Sequence, residues 1–253
     1  MKTSFLFISL LLLFDCSSKA QTTQTPATGS ENPTTGFIAL NYGTAKPLGN
    51  YASTSNSSSS GYAISGSDLS ISAGVPINHS HFGVAFKFDH FTNGYDEQSL
   101  NSNQTANNPG YIWNVSADSY SGQTVLIGLY GTLALHHFAF DYRFMGGIMF
   151  ANYPEISYSA LDNNADTMSN TNQSSASSSS FAFDIGIGLR WNVSNHFCLR
   201  IDYDYLASSQ SFTVNTEQTN TYSGTSISQP VMYKQQYTMA NVTFGIGYVF
   251  DRE

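Results

Sequence analysis

Nine charged residues fall at even spacings within short stretches of this chain, and their types could build a network of ion pairs. Lys87 stands two residues before Asp89, and Arg200 stands two residues before Asp202. The full set is Lys87, Asp89, Asp141, Arg143, Asp184, Arg190, Arg200, Asp202 and Asp204. Unpaired ions are costly inside a protein, whereas paired and hydrogen-bonded ions are tolerated. The near balance of four cations and five carboxylates predicts a network that fills an interior and fixes strand register.

The same charges allow a second arrangement, because rings of charged side chains set ion selectivity in channels. In that alternative the ions line a narrow pore and leave it open. A pore conducts ions and a filled interior does not, so conductance separates the two hypotheses.

Histidine is the other residue type that suggests chemistry. His90 with a nearby serine could serve a lipid-modifying enzyme at a barrel rim, but no acidic residue is placed to orient it as a triad requires. The other histidines lie at or beside predicted tight turns: His79, His81, His136, His137 and His196. Neighbouring imidazoles can bind metal or respond to pH, yet polar turn residues explain the same pattern. We predict no catalytic residue, no metal site and no cofactor.

Strands position these charges, because large apolar residues alternate with small or charged residues in three stretches of the chain, with a period of two. They cover residues 81–89, 137–144 and 196–204, and each begins with His-Phe. One face of each stretch is large and apolar, and the opposite face is small or charged. The apolar face consists of Phe82, Val84, Phe86, Phe88, Phe138, Phe140, Tyr142, Phe144, Phe197, Leu199, Ile201 and Tyr203.

Side-chain volume predicts which face points outward. A closed barrel of about eight strands has an interior just wide enough for side chains to fill it, and these aromatic rows are too bulky for that space. Glycine, alanine, serine and paired ions would fit. Arginine or lysine facing lipid costs roughly 2–4 kcal/mol near the membrane midplane. We therefore expect the apolar rows to face lipid and the ions to face the lumen.

Eight strand candidates follow one another along the chain, in the regions 36–44, 65–77, 82–91, 122–133, 138–152, 179–192, 197–207 and 235–250. The connections alternate between tight turns and four long polar loops, at 45–64, 92–121, 153–178 and 208–234. Short turns on one rim and long loops on the other are typical of outer-membrane barrels. We expect both termini on the periplasmic, short-turn side. The predicted fold is an all-β, eight-stranded, antiparallel up-and-down transmembrane barrel.

Composition and the first residues support export to a membrane. Residues 1–20 have a positive start, an apolar core and a small-residue site at Ser18-Lys19-Ala20, which predicts a cleaved signal peptide. We expect 21–35 to be a flexible periplasmic leader and 36–250 to be the barrel domain. The net charge of −8 argues against nucleic acid as a partner.

Aromatic residues mark two further regions. Four of them lie beside the predicted tight turns and would form an interfacial girdle: Phe82, Phe138, Trp191 and Phe197. Others stand among Ser and Asn in the predicted loops, a composition that suits surface recognition and also suits loops that only shield the barrel. These are Tyr111, Trp113, Tyr120, Tyr153, Tyr158 and Tyr222.

The order of these motifs resembles the small outer-membrane β-barrel family, in the form of the outer-membrane protein A transmembrane domain and the adhesin-like eight-stranded barrels common among Bacteroidota. The resemblance rests on three segments, at residues 36–43 (GFIALNYG), 47–51 (PLGNY) and 245–250 (GIGYVF). It implies an integral outer-membrane protein, surrounded by lipid and monomeric.

The function we predict is structural or surface-interactive, with a salt-bridge-plugged lumen and an extracellular ligand or surface bound through the loops. A small passive porin-like channel is the alternative, and a rim-catalysed lipid-modifying enzyme is the third hypothesis.

Overall fold

The computed structural model describes residues 36–77, 82–135, 137–161 and 167–250. The predicted signal peptide and leader lie outside these ranges, as do His79, His81 and His136. Within the described residues, the helices are too short and too polar to traverse a bilayer.

Eleven strands and two short helices make up the described part of the chain. In order they are β1 Phe37–Pro47, α1 Gly49–Ala52, β2 Ala63–Pro76, β3 Phe82–Tyr95, α2 Glu97–Asn107, β4 Ile112–Ala117, β5 Tyr120–Leu135, β6 Phe138–Tyr153, β7 Ile156–Leu161, β8 Thr167–Gln173, β9 Ala176–Asn192, β10 Phe197–Asn220 and β11 Thr225–Val249.

Eight of these strands close into a ring in which every neighbouring pair is antiparallel. The order is β1, β2, β3, β5, β6, β9, β10 and β11, and β11 pairs with β1 to complete it. Closure aligns Phe37 with Val249 and Pro47 with Met239. The predicted eight-stranded up-and-down barrel is confirmed, with strands that follow each other around the ring in chain order.

The two faces of the wall differ as volume predicts. On β9, Phe181, Ile185 and Leu189 are exposed, while Asp184 and Arg190 on the opposite phase are buried. Exposure alternates in the same way along β5, because Ile127 is 62% exposed and the neighbouring Leu126 is fully buried. An apolar exterior around a polar interior is stable only where hydrocarbon surrounds the barrel.

The four long polar loops of the prediction are wrong in detail, because much of that sequence forms strands and helices. Residues 208–234 continue β10 and β11 into one hairpin whose turn lies at 221–224. At about 3.4 Å per residue, the 24 residues of β10 extend roughly 80 Å. Ser209, Ser211 and Thr213 replace apolar residues on its outward face, so this half of the strand continues the ladder in water rather than in lipid.

The other strands of this region lie side by side next to that hairpin. The outer part of β10 pairs with β8, β8 pairs with β7, and β7 pairs with β4. We call β4, β7, β8 and the β10–β11 hairpin between 209 and 235 the extension. The pairing of β10 with β9 ends at Ser208 and its pairing with β8 begins at Thr216, so neither of these two ladders includes residues 209–215.

Candidate functional site: the lumen and the cleft above it

All nine predicted ions lie on the inward face of the wall and are buried, with Lys87 at 2% and Asp204 at 1% exposure. Glycine on the facing strand makes room for them. A Cβ on Gly186 would overlap Oδ1 of Asp204, and a Cβ on Gly188 would overlap Oδ1 of Asp202. The small residues of one strand therefore provide the volume that the ions of the next strand occupy.

Lys87 is the centre of one half of the ion network. Its Nζ lies 2.9 Å from Oδ2 of Asp184, 2.9 Å from Oδ2 of Asp204 and 3.2 Å from Oδ1 of Asp89. The Thr124 hydroxyl donates to the other oxygen of Asp89 at 2.6 Å. One ammonium group thus pairs with carboxylates from three different strands, β3, β9 and β10.

Arginines form the other half of the network. Arg143 donates from Nη1 to Asp202 at 3.0 Å and from Nη2 to Asp204 at 2.9 Å. Asp204 therefore joins Lys87 to Arg143. Arg200 Nη2 contacts Asp202 at 3.2 Å and Asp141 at 3.4 Å.

Arg190 completes the series, because its Nη2 lies 3.3 Å from Asp141 Oδ1. The Thr132 hydroxyl donates to the same oxygen at 2.7 Å. All nine predicted residues belong to one unbroken series of ion pairs. We call this series the ion network.

Asp68 is a buried carboxylate that sequence reasoning missed. It accepts a hydrogen bond from Asn241 Nδ2 at 3.2 Å, and it is fully buried on the inward face of β2. Its signal was the alternation of Asp68, Ser70 and Ser72 with Leu69 and Ile71. With Asp68 added to the ion network, the described part of the lumen holds six carboxylates and four cations.

An aromatic layer covers the ion network at the end of the barrel that carries the extension. It consists of Tyr51, Phe91, Tyr120, Tyr153, Phe212 and Tyr237. Tyr237 is its centre, with ring centroids 4.6 Å from Tyr51 and 5.9 Å from Tyr120. The expectation that only small residues and ions fill the interior is therefore wrong, because glycines such as Gly122 leave the space that Phe91 occupies.

A second aromatic contact covers the network at the short-turn end. Phe37 and Tyr130 meet edge to face with centroids 5.4 Å apart. The guanidinium of Arg200 lies 4.4 Å from the Phe37 ring centroid, which is within cation–π range. Tyr130 lies over Gly74 and Gly83, where a Cβ would meet its ring. Aromatic side chains thus bound the ion network on both sides.

Above the aromatic layer, the four segments predicted as long loops meet around a cleft of about 390 Å³. Its walls come from the α1–β2 connection, the end of β3, α2, β4, the end of β6, β7, β8 and β11. Its aromatic lining residues are Tyr62, Tyr95, Trp113, Tyr153, Tyr158 and Tyr233. Of the aromatic residues expected in the loops, Trp113, Tyr153 and Tyr158 line this cleft, and Tyr120 lies in the layer below it. Tyr222 is 88% exposed at the hairpin turn.

The four predicted girdle residues lie exposed on the outward face at the short-turn end. The Phe138 ring stacks on Trp191 with centroids 6.4 Å apart. Phe197 packs edge to face on Tyr248 at 5.5 Å, and Phe82 packs on Tyr142 at 6.2 Å.

The described histidines do not converge. His90 lies on the outward side of β3, paired with Leu69 and Gln123 across the ladder, and His196 stacks on Tyr248. His137 begins the β6 side of a turn. Within the described ranges, no group of three or more metal-ligating side chains is arranged to hold an ion.

The fold and its surface together define an integral membrane β-barrel of the outer-membrane type. A closed ring satisfies every ladder hydrogen bond within the wall, as a bilayer requires, and even-numbered antiparallel barrels of this size are typical of bacterial outer membranes.

Comparisons with known proteins gave matches in structure alone. No family model matches the chain, and no curated protein matches it in sequence. Ail, the attachment invasion locus protein of Yersinia pestis, is 13% identical with a TM-score of 0.43, and the match covers 85% of this chain and 98% of Ail. Neisserial surface protein A is 11% identical with a TM-score of 0.43, and the match covers 84% of this chain and 96% of that protein.

A major outer membrane protein from Thermus thermophilus is 13% identical with a TM-score of 0.41, and the match covers 85% of this chain and 99% of that protein.

Proposed function

We propose that this protein is a non-conducting outer-membrane barrel that holds a recognition surface, the extension and its cleft, outside the cell. The observation that carries the proposal is the filled lumen. Every cation of the ion network contacts at least one carboxylate, and buried aromatic rings lie on both sides of it. An ion in transit would have to break several charge-assisted hydrogen bonds and displace those rings.

The proposed role is structural and recognitional rather than catalytic. The histidine considered for catalysis, His90, points to the outward side of β3 and away from the cleft. The ring of eight strands pairs all its edges over the membrane-spanning part, which supports a monomer surrounded by outer-membrane lipid.

Single-channel recording in planar bilayers tests the closed lumen. We expect the reconstituted protein to show no steady open conductance at neutral pH. A variant that lacks three of the six rings of the aromatic layer, Tyr51→Ala/Tyr120→Ala/Tyr237→Ala, serves as a comparison, because it opens the layer and leaves the ion network. A steady conductance of the unchanged protein would favour the passive channel and overturn the proposal.

Protease treatment of intact cells tests the location and orientation. Cleavage confined to the four long segments, with the barrel recovered in the outer-membrane fraction, is the expected result. Recovery of the whole chain in a soluble fraction would contradict the membrane location, and cleavage at the short turns would reverse the orientation.

A further inference from the structure

The cleft combines aromatic faces with neutral hydrogen-bonding groups. Six aromatic rings contribute to its walls. Tyr95 stacks on Tyr62 with centroids 5.9 Å apart, and Tyr233 stacks on Tyr153 at 5.6 Å. The same walls carry several hydroxyl groups and the amides of three glutamines, Gln104, Gln173 and Gln235. The cleft is therefore neither an apolar groove nor a charged one.

Hydrogen bonds hold this lining in place before any ligand arrives. Gln173 Nε2 donates to the Tyr233 hydroxyl at 2.8 Å, and Asn103 Nδ2 donates to the Tyr62 hydroxyl at 3.0 Å. Each bond joins two different segments of the extension end, β8 to β11 and α2 to the α1–β2 connection. Preorganised side chains lose less conformational entropy on binding.

Trp113 contributes an aromatic face to the wall of the cleft. Its indole Nε1 is buried and has no hydrogen-bond partner among the described residues. A buried donor without a partner costs free energy, and a rotation of the indole that brings Nε1 to an acceptor on a bound molecule would remove that cost.

Formal charge limits the class of ligand. Among the described residues that line the cleft, Lys234 is the one with a formal charge at neutral pH. A site for sulfated or phosphorylated ligands would present several cations, as charge-assisted recognition requires. The lining therefore favours a neutral molecule that has both apolar faces and many hydroxyl groups.

We infer that the cleft binds a neutral carbohydrate, a short oligosaccharide or a glycan terminus; this inference rests on the proposed recognition role. The C–H groups on a pyranose face carry partial positive charge and pack on the negative face of tyrosine or tryptophan rings. The ring hydroxyls of the sugar pair with the glutamine amides of the lining. The cleft volume of about 390 Å³ lies within the range of roughly 300–1,000 Å³ of small-molecule sites.

Tryptophan fluorescence gives a direct test, since the chain has two tryptophans. Trp191 lies on the outward face near the membrane boundary, so the Trp191→Phe variant reports on Trp113 alone. The protein in detergent micelles is first screened on an array of neutral and sulfated glycans. The neutral glycans bound are then titrated while the Trp113 emission is followed.

We expect saturable binding of at least one neutral glycan and a fall in affinity of at least tenfold in Tyr158→Ala. The Tyr222→Ala variant is the matched control, because this tyrosine lies at the exposed hairpin turn outside the cleft, and it should bind as the parent does. Array binding by Trp113→Ala at the level of the parent would overturn the inference.

Two other outcomes also overturn it: binding confined to sulfated glycans, and no neutral glycan bound above the Trp113→Ala background. Each variant is checked for the folded barrel by circular dichroism. A protein that binds no glycan but conducts no ions leaves the proposed function intact, whereas conductance removes the proposed function independently of the glycan result.

Discussion

The lumen is filled in two different ways at two heights, by the ion network in the middle and by the aromatic layer next to the extension. The ion network depends on direction, because each carboxylate needs a cation or another donor at hydrogen-bond distance. The aromatic layer depends on volume, and its rings gain stability from contact area in several mutual geometries. Within one barrel, we therefore expect the ion network to tolerate small substitutions poorly and the aromatic layer to tolerate them well.

The ion network constrains the register of the strands. Lys87 on β3 reaches β9 and β10 across the lumen, so a shift of β3 by one residue would place this lysine in lipid. Rings of the aromatic layer can repack after a small displacement. We therefore expect the ion network to specify the register and the aromatic layer to fill the space above it.

The largest effect is expected from Lys87→Met, which keeps the side-chain volume and removes the charge. Asp89 and Asp184 then lose their ion pair with a cation, and removal of one partner of a buried pair costs about 3–5 kcal/mol. The free energy of unfolding in urea, measured in lipid vesicles, checks this. Lys234→Met is the matched control, because Lys234 is exposed in the cleft; an equal loss in both variants would contradict the special role of the network.

A smaller effect is expected from Gly186→Ala, which adds one methyl group. The new Cβ would overlap the Asp204 carboxylate, and overpacking of this kind costs about 1–3 kcal/mol. The Gly146→Ala variant places its Cβ 3.3 Å from the Phe181 ring on the outward side, where the ring can move. Unfolding in urea should separate the two variants, and equal stabilities would show that the lumen is not tightly packed.

The smallest effect is expected from Met239→Leu, a change of shape at constant volume just below the aromatic layer. Met239 is fully buried, and such substitutions usually cost less than about 1.5 kcal/mol. Lys87→Met and Met239→Leu both preserve side-chain volume. The difference between their unfolding free energies therefore separates the effect of lost ion pairs from the effect of a changed side-chain shape. If Met239→Leu lowered the free energy of unfolding as much as Lys87→Met does, the two regions of the lumen would not differ in their tolerance of substitution.

The alternation of the sequence predicted the closed barrel and the inward position of the ions. This was possible because side chains along a strand alternate between two faces. In this sequence the charged residues occupy one face and the bulky apolar residues occupy the other. The aromatic layer was not predictable by the same volume argument. Phe91 continues the inward phase of β3, but the room for its ring comes from Gly122 on the neighbouring strand β5.

The cleft was even less accessible to sequence reasoning. The loops were predicted to carry recognition residues, and Trp113 and Tyr158 are among them. Their convergence depends on the pairing of Val115 with Tyr158 between β4 and β7 and on the pairing of β8 with β10. These pairings join segments of polar residues that lack a strong strand signal, and no local pattern specifies their partners.

The nonlocal pairing of the extension has a consequence for how the protein folds. Between β4 and β7 the chain runs through the whole β5–β6 hairpin, so formation of that hairpin brings β4 and β7 close together. Closing long loops is entropically unfavourable until other contacts hold the ends together. We expect the membrane-spanning hairpins to form first and the surface that lines the cleft to be the last part to acquire its native contacts.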